Sequence, residues 1–150
     1  MTTEWVRDGF TISTDPARIE LDVVHGFLAA SYWATGIPRE VVRRSIEQSL
    51  CFGLYHEGRQ IGFARVITDR ATFAYLGDVF VLEAYRGRGL ARWLLEVIQA
   101  HPDLQGLRRW VLLTRDAHAL YRQAGWTSLA APDRYMERWF KDAYRRGVDN

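Results

Sequence analysis

Apolar and polar positions along the chain follow two periods, and each predicts its own elements. Phe10 to Thr14 alternates with the two-residue period of a strand, and Asp15-Pro16 stops it. Val24, Phe27 and Leu28 then recur at helical spacing after Asp22, a residue able to cap a short helix. Gly36 interrupts, and Pro38, whose φ is preset, suits the first position of a second helix. Val42, Ile46 and Ser49 or Leu50 repeat on one face of it, while Arg39, Glu40, Arg43 and Glu47 face water.

Three strands are predicted next. Leu50 to His56 and Gln60 to Thr68 flank Glu57-Gly58, a tight turn that makes them a hairpin. After a turn at Asp69-Arg70, Phe73 to Leu82 is apolar on nearly every residue, as in a strand covered on both faces. Asp78 interrupts it. From Arg88 to Ala100, Leu90, Leu94, Val97 and Ile98 mark an amphipathic helix, which His101-Pro102 ends. Trp110 to Thr114 reads as a short buried strand. Asp116 is placed to cap a brief helix carrying Ala117, Leu120, Tyr121 and Ala124 on one face, with Gly125 as its left-handed end. Trp126 to Leu129 and Tyr135 to Trp139 are expected to close the sheet as an antiparallel pair. The result is an α/β (α+β) fold, with a mixed, mostly antiparallel sheet of about seven strands flanked by about four helices. The step from Phe73 through a helix to Thr114 makes one strand pair parallel.

Composition narrows the function. With 150 residues and no repeat or linker, the chain reads as one domain, 1–150, with a core of about 10–140 and a tail at 141–150. The tail is expected to be a short helix or frayed, with Arg145-Arg146 a solvated end. A net charge of +2 supplies no broad basic field for nucleic acid or anionic membranes. Lys141 is the only lysine, so nineteen of the twenty cationic side chains are arginine. Coding bias is the simplest source of that excess, and recognition of anions is the alternative. A single cysteine, Cys51, in an apolar run excludes an internal disulfide and a four-cysteine zinc site, and no metal is expected. Without an apolar leader or a bilayer-length apolar segment, a soluble, cytoplasmic protein is expected.

The informative stretch runs from Val79 to Ala91. A buried strand (Val79, Phe80, Val81) enters a loop with two glycines and two arginines, Arg86-Gly87-Arg88-Gly89, which opens a helix at Leu90-Ala91. First-turn amides of a helix lack internal partners and carry the positive end of its dipole. Glycine lets a phosphate approach the backbone closely, and arginine adds charge with defined geometry. A nucleoside-triphosphate loop would need lysine and a hydroxyl residue where Leu90-Ala91 stand. A dinucleotide loop would need a third glycine where Arg92 stands, and an RNA-binding Arg-Gly segment would be repeated and disordered. A purely structural turn is the remaining alternative. Diphosphate binding is the favoured reading.

Arg86-Gly87-Arg88-Gly89-Leu90-Ala91 resembles the Arg/Gln-x-x-Gly-x-Gly/Ala signature of the GCN5-related N-acetyltransferases (GNAT), and Val79-x-Val81 resembles the strand before it. Asp116 through Tyr121 to Gly125-Trp126 is similar to that family's second signature, with Trp126 in place of phenylalanine; Ala84 stands where many members have proline. The resemblance implies a GNAT-like sheet whose parallel pair splays apart, and acetyl-coenzyme A as co-substrate. Its diphosphate would lie on the amides of Arg86 to Ala91. Its pantetheine arm would add to the backbone around Val79, Phe80 and Val81, with the thioester at the splay. Asp116 and Ala117 join the cofactor-binding set through the second signature, and Tyr121 corresponds to a tyrosine near the thioester sulfur. The family's acceptor pocket falls on Phe27, Tyr32 and Trp33, with Arg134 and Tyr135 near the end. The resemblance also allows a homodimer.

Proton arithmetic sets what such a site must do. An amine of pKa roughly 10 is nearly all protonated at neutral pH, so it must lose a proton or be desolvated before attack. The departing thiolate, with a reference pKa of about 8.5, gains from a nearby donor, a role for Tyr121. Asp78, the only carboxylate in its apolar strand, either acts as a base through water or anchors a neighbour such as Arg65. His118 is a second base by pKa but falls beside the apolar face of its helix. Two functions remain, acetyl transfer to a primary amine of a small molecule or peptide, and an acyl-coenzyme A sensor without turnover.

Overall fold

Two hairpins organise the antiparallel half of the sheet, and both turn on residues of positive φ. Asp8 and Gly9 (φ 51° and 84°) and Glu57 and Gly58 (φ 51° and 80°) form them, the left-handed pair that matches strand twist. The computed structural model describes residues 2–144. Among them six strands lie in sequence order: β1 (Glu4–Arg7), β2 (Phe10–Ser13), β3 (Leu50–His56), β4 (Arg59–Thr68), β5 (Phe73–Val81) and β6 (Arg109–Leu112). All neighbours are antiparallel except β5 and β6, which run parallel. Helices α1 (Leu21–Ala30) and α2 (Arg39–Glu47) separate β2 from β3, α3 (Leu90–Ala100) connects β5 to β6, and α4 (His118–Gln123) follows β6.

The sheet divides two cores. Helix α3 buries Leu90, Trp93, Leu94, Leu95, Val97 and Ile98 against Phe52, Ala64, Leu76 and Val81. Each such side chain contributes about 1.5–3 kcal/mol by leaving water. On the opposite face Val24, Leu28 and Val42 of α1 and α2 pack on Cys51, Phe63 and Phe80. The start of α1 is tied to β4 by a reciprocal pair: Glu20 N–H donates to Gln60 Oε1 (2.7 Å) and Gln60 N–H donates to Glu20 Oε2 (2.5 Å).

Several expectations are corrected. Strand β1 was not foreseen, although Asp8-Gly9 is a hairpin signal. The antiparallel pair Trp126–Leu129 and Tyr135–Trp139 does not form; Pro132 to Arg134 instead makes a 3-10 turn between segments without regular structure. The described sheet therefore has six strands rather than about seven. Asp22 lies inside the first turn of α1, paired with Arg39, and does not cap it. Asp116 does not cap α4 either; Thr114 Oγ1 accepts the Ala117 N–H (3.1 Å), and Asp116 pairs with exposed Arg115. Pro38 precedes α2 rather than opening it, and α3 starts at Leu90 rather than Arg88. Residues 145–150, which include Arg145-Arg146 of the expected tail, lie outside the described residues.

Candidate active site

The site begins where the parallel pair ends. β5 and β6 pair only from Phe73 and Arg109 to Leu76 and Leu112. Beyond that point β5 continues to Val81 against β4 alone. Among the described residues no strand covers the other side of Gly77 to Val81, which includes Val79, Phe80 and Val81 of the predicted cofactor strand. The side chains of these three residues are committed to the cores, Phe80 stacked on Phe27 at 4.0 Å. A ligand there meets backbone.

A bulge sharpens the divergence. Phe63 faces Phe80 and Arg65 faces Gly77, so Ala64 alone lies opposite both Asp78 and Val79. Asp78 takes φ 54°, strained for a residue with a Cβ. The extra residue resets the pleat: Ala74, Leu76, Val79 and Val81 all join the α3-side core, and Asp78 turns to the α1–α2 face. There its Oδ2 accepts from Arg65 Nε (2.8 Å) and its Oδ1 from Trp33 Nε1 (2.9 Å). Arg65 also donates to Ser49 Oγ (3.1 Å). Both charged side chains are largely buried, so this ion pair supplies the partner that a buried carboxylate needs.

The connection between α1 and α2 spans the mouth of the cleft. Trp33 latches it to β5 through Asp78. Tyr32 latches it to the segment after β6: the Arg115 N–H donates to the Tyr32 hydroxyl (3.2 Å), and the Arg115 guanidinium lies 3.8 Å over the Tyr32 ring. Phe27, Trp33 and Tyr32 form a run of ring contacts at 6.1 and 5.1 Å. Tyr135 does not join them. It lies beside β6 with the Arg109 guanidinium 5.7 Å from its ring.

Tyr121 of α4 is buried in the α3-side core against Trp126. Burial pushes its hydroxyl up to about 12, and the Tyr32 hydroxyl adds to the shift. Tyr121 is thus protonated at neutral pH and faces the Tyr32 side of the cleft. No hydrogen bond to another described residue engages its hydroxyl. His118 is exposed, as expected.

Past the cleft the chain reaches the glycine loop. Gly87 and Gly89 have φ 79° and 74°, and a Cβ on either would meet no protein atom within 4 Å. Gly89 is the N-cap of α3, and its carbonyl accepts the Trp93 N–H (3.1 Å), the first helical bond. The amides of Leu90, Ala91 and Arg92 therefore begin the helix without intrahelical acceptors. Arg86 has a different role from a free cation: its Nε donates to the Val81 carbonyl (2.9 Å) and braces the loop on the strand end. Arg88 is exposed with its guanidinium 5.7 Å from the Tyr85 ring. Open Cβ positions, unpaired amides and an uncovered strand fit a diphosphate with an extended arm. Among the described residues there is no group of three His, Cys, Asp or Glu side chains able to hold a metal, and no helix long and apolar enough to cross a membrane.

Sequence reasoning missed the Glu20–Gln60 pair, the Tyr32–Arg115 contact and the bulge at Asp78. Only the last had a signal, a lone carboxylate in an apolar strand.

Comparison with known proteins agrees with this geometry. The family model for the GNAT acetyltransferase domain matches residues 47–128. A candidate acetyltransferase of Gibberella zeae is 34% identical over 140 residues, covering 78% of each chain. A crystal structure from Xanthomonas campestris pv. campestris, described as a candidate acetyltransferase of the GNAT family, is 49% identical with TM-score 0.88, covering 90% of this chain and 96% of that one. A GNAT acetyltransferase from Elizabethkingia anophelis with acetyl-CoA bound shares the fold at TM-score 0.62 and 16% identity, over 89% of this chain and 90% of that one.

Proposed function

The chain belongs to the GNAT family of N-acetyltransferases, and on that premise we propose that it moves an acetyl group from acetyl-coenzyme A to a primary amine of a small molecule or peptide. The observation that carries this reading is the end of β5–β6 pairing at Leu76 and Leu112, one strand away from the open first turn of α3. An extended ligand entering there has backbone unpaired on the β6 side along Gly77 to Phe80, and the free first-turn amides of Leu90 to Arg92. In the reading the diphosphate rests on Arg86 to Ala91, and the thioester lies at the splay. Asp116 and Ala117 border the same ligand only by family resemblance.

Tyr121 is the proposed donor to the departing sulfur. With its pKa near about 12, full transfer of its proton to a thiolate of pKa about 8.5 runs uphill by ~5 kcal/mol. A hydrogen bond from it does not. The proposed role is therefore stabilisation of developing negative charge by a donor that keeps its proton. Phe27, Tyr32 and Trp33 are the proposed acceptor wall. Their aromatic surface removes water from an incoming amine, which favours its neutral, attacking form.

Asp78 is proposed as a positioning residue. Each of its oxygens already accepts one hydrogen bond, from Arg65 and from Trp33, so it sets the wall against the cleft. Proton removal through water remains the alternative that a pH–rate profile separates. The partners in this reading are acetyl-coenzyme A, an amine acceptor and a second copy of the chain, and the setting is the cytoplasm. Release of free coenzyme A thiol across a panel of primary amines tests it: amine-dependent release supports transfer, and tight coenzyme A binding without release supports the sensor.

A further inference from the structure

The sheet face that α1 and α2 cover extends beyond them. Cys51, Phe63 and Phe80 lie under the two helices. Farther along, the register sets Ile67 of β4, Tyr75 of β5 and Val111 of β6 side by side in one row on that same face. The two-residue period of the strands adds Phe73 and Leu113 beside the row. None of the five belongs to either buried core. Ile67 is 46% exposed, Phe73 39% and Leu113 76%. Apolar side chains gathered in one patch, unlike scattered ones, mark a binding face.

The row reaches the splay. Tyr75 and Val111 stand one residue before Leu76 and Leu112, the last paired positions. The Tyr75 ring leans along β5 over Gly77, where a Cβ would lie 3.0 Å from Tyr75 Cε1. Burial holds the Tyr75 hydroxyl above its ordinary value, with Asp78 adding to the shift and Arg65 opposing it, so the ring sits near that ion pair. Tyr32 and Trp33 cross the same point, bonded to Arg115 after β6 and to Asp78 on β5. Apolar floor, aromatic wall and splay form one continuous trough.

The charges around the trough select among amines. Strands β4, β5 and β6, the turn between the first two, residues 113–116 and the α1–α2 connection carry three carboxylates, and each is engaged. Asp78 accepts from Arg65 and Trp33. Asp116 pairs with Arg115. Asp69 accepts from Ala71, Thr72 and Phe73 within its own turn. A second ammonium group would find no free counter-ion there, and Arg65, Arg109 and Arg115 on the same elements would repel it. An aromatic ring would instead gain a floor and a wall.

We propose that the acceptor is an arylalkylamine with a single amino group, its ring on the Ile67–Tyr75–Val111 floor against Trp33 and its nitrogen at the splay. The proposal rests on the acetyl-transfer reading above. In that step the neutral nitrogen bonds the acetyl carbon, the carbon–sulfur bond breaks, and the proton the amine loses ends on the coenzyme A thiol. Tyr75 sets the specificity by holding the ring.

Thiol release from acetyl-coenzyme A is compared for phenethylamine, propylamine and putrescine. Calorimetric titration of phenethylamine into the protein saturated with coenzyme A reads binding without turnover. The kcat/KM for phenethylamine is expected about ten- to a hundredfold above that for propylamine, the worth of one ring leaving water, with putrescine lowest. Tyr75→Ala should cut that preference about tenfold. Ile67→Glu, at an exposed position that tolerates charge, supplies the missing counter-ion and shifts preference toward putrescine. Both variants are read on protein whose circular dichroism and coenzyme A affinity match the wild type. Equal rates for phenethylamine and propylamine, a wild type that prefers putrescine, or one unchanged preference in wild type and both variants overturns the aryl acceptor and leaves transfer standing. Phenethylamine that binds beside coenzyme A without being acetylated supports the aryl trough and overturns transfer. Neither binding nor release overturns both.

Discussion

Replacing Gly89 with alanine separates a phosphate-binding loop from a structural turn. Gly89 sits at φ 74° as the N-cap of α3, so a Cβ there costs about 1–2 kcal/mol of backbone strain. For a chain of this length that lowers the melting point by roughly 2–8 °C. The Cβ adds no clash, because no protein atom lies within 4 Å of its position. A phosphoryl group on the first-turn amides would occupy that open space. Displacing it forfeits one or two charge-assisted backbone hydrogen bonds, about 2–4 kcal/mol, which weakens coenzyme A binding by roughly thirty- to several-hundredfold. Gly125→Ala is the matched control. Gly125 has φ 97° and equally open space at the far end of α4, so it should cost similar stability and leave binding alone. Isothermal titration with coenzyme A reads both variants. If Gly89→Ala loses stability but keeps affinity within about threefold, the phosphates do not rest there and the loop is only a turn.

Tyr121→Phe keeps the ring packing against Trp126 and removes the donor, so turnover should fall by tens of fold or more while coenzyme A affinity holds; an unchanged rate would remove the assignment. Asp78→Asn should retain the ascending limb of the pH–rate profile, because the carboxylate serves Arg65 and Trp33; loss of that limb would make Asp78 the titrating base. The same substitution breaks a largely buried ion pair and should cost ~3 kcal/mol in urea unfolding. His101 offers a test of acid sensitivity. Its imidazole is held below its ordinary value of 6.5 by burial, with Asp103 opposing, and its Nδ1 accepts the Asp103 N–H at 3.0 Å. The unfolded state therefore takes up the proton first. Stability should be complete above pH 6.5 and fall below it, and His101→Asn should flatten that fall; parallel pH dependence in both proteins would refute it.

The elements that were legible in the sequence are those whose causes are local. Leu90, Leu94, Val97 and Ile98 mark α3 because a helix repeats its buried face within the window one reads. Glu57-Gly58 marks a hairpin because the turn itself demands positive φ. The loop from Arg86 to Gly89 was legible as a strand-to-helix junction because Gly87 and Gly89 supply the positive φ that the turn into α3 requires. What escaped depends on partners distant in the chain. Trp126–Leu129 and Tyr135–Trp139 have strand composition, yet pairing depends on an edge elsewhere, and neither segment pairs with the edge that β6 leaves open among the described residues. Asp78 stood out as a misplaced charge, but nothing local shows that a bulge turns it toward Trp33, forty-five residues earlier. Tyr32 reads as a plain aromatic until Arg115 is brought over its ring.

Melting the protein with and without coenzyme A addresses the main claim most directly. At about a hundredfold excess over the dissociation constant, a ligand bound only by the folded form adds about 2.7 kcal/mol. For a chain of this length the melting point should then rise by roughly 5–11 °C. Pantetheine, which lacks the diphosphate and the nucleotide beyond it, should give little of that rise. A melting point that stays fixed at millimolar coenzyme A would contradict the account.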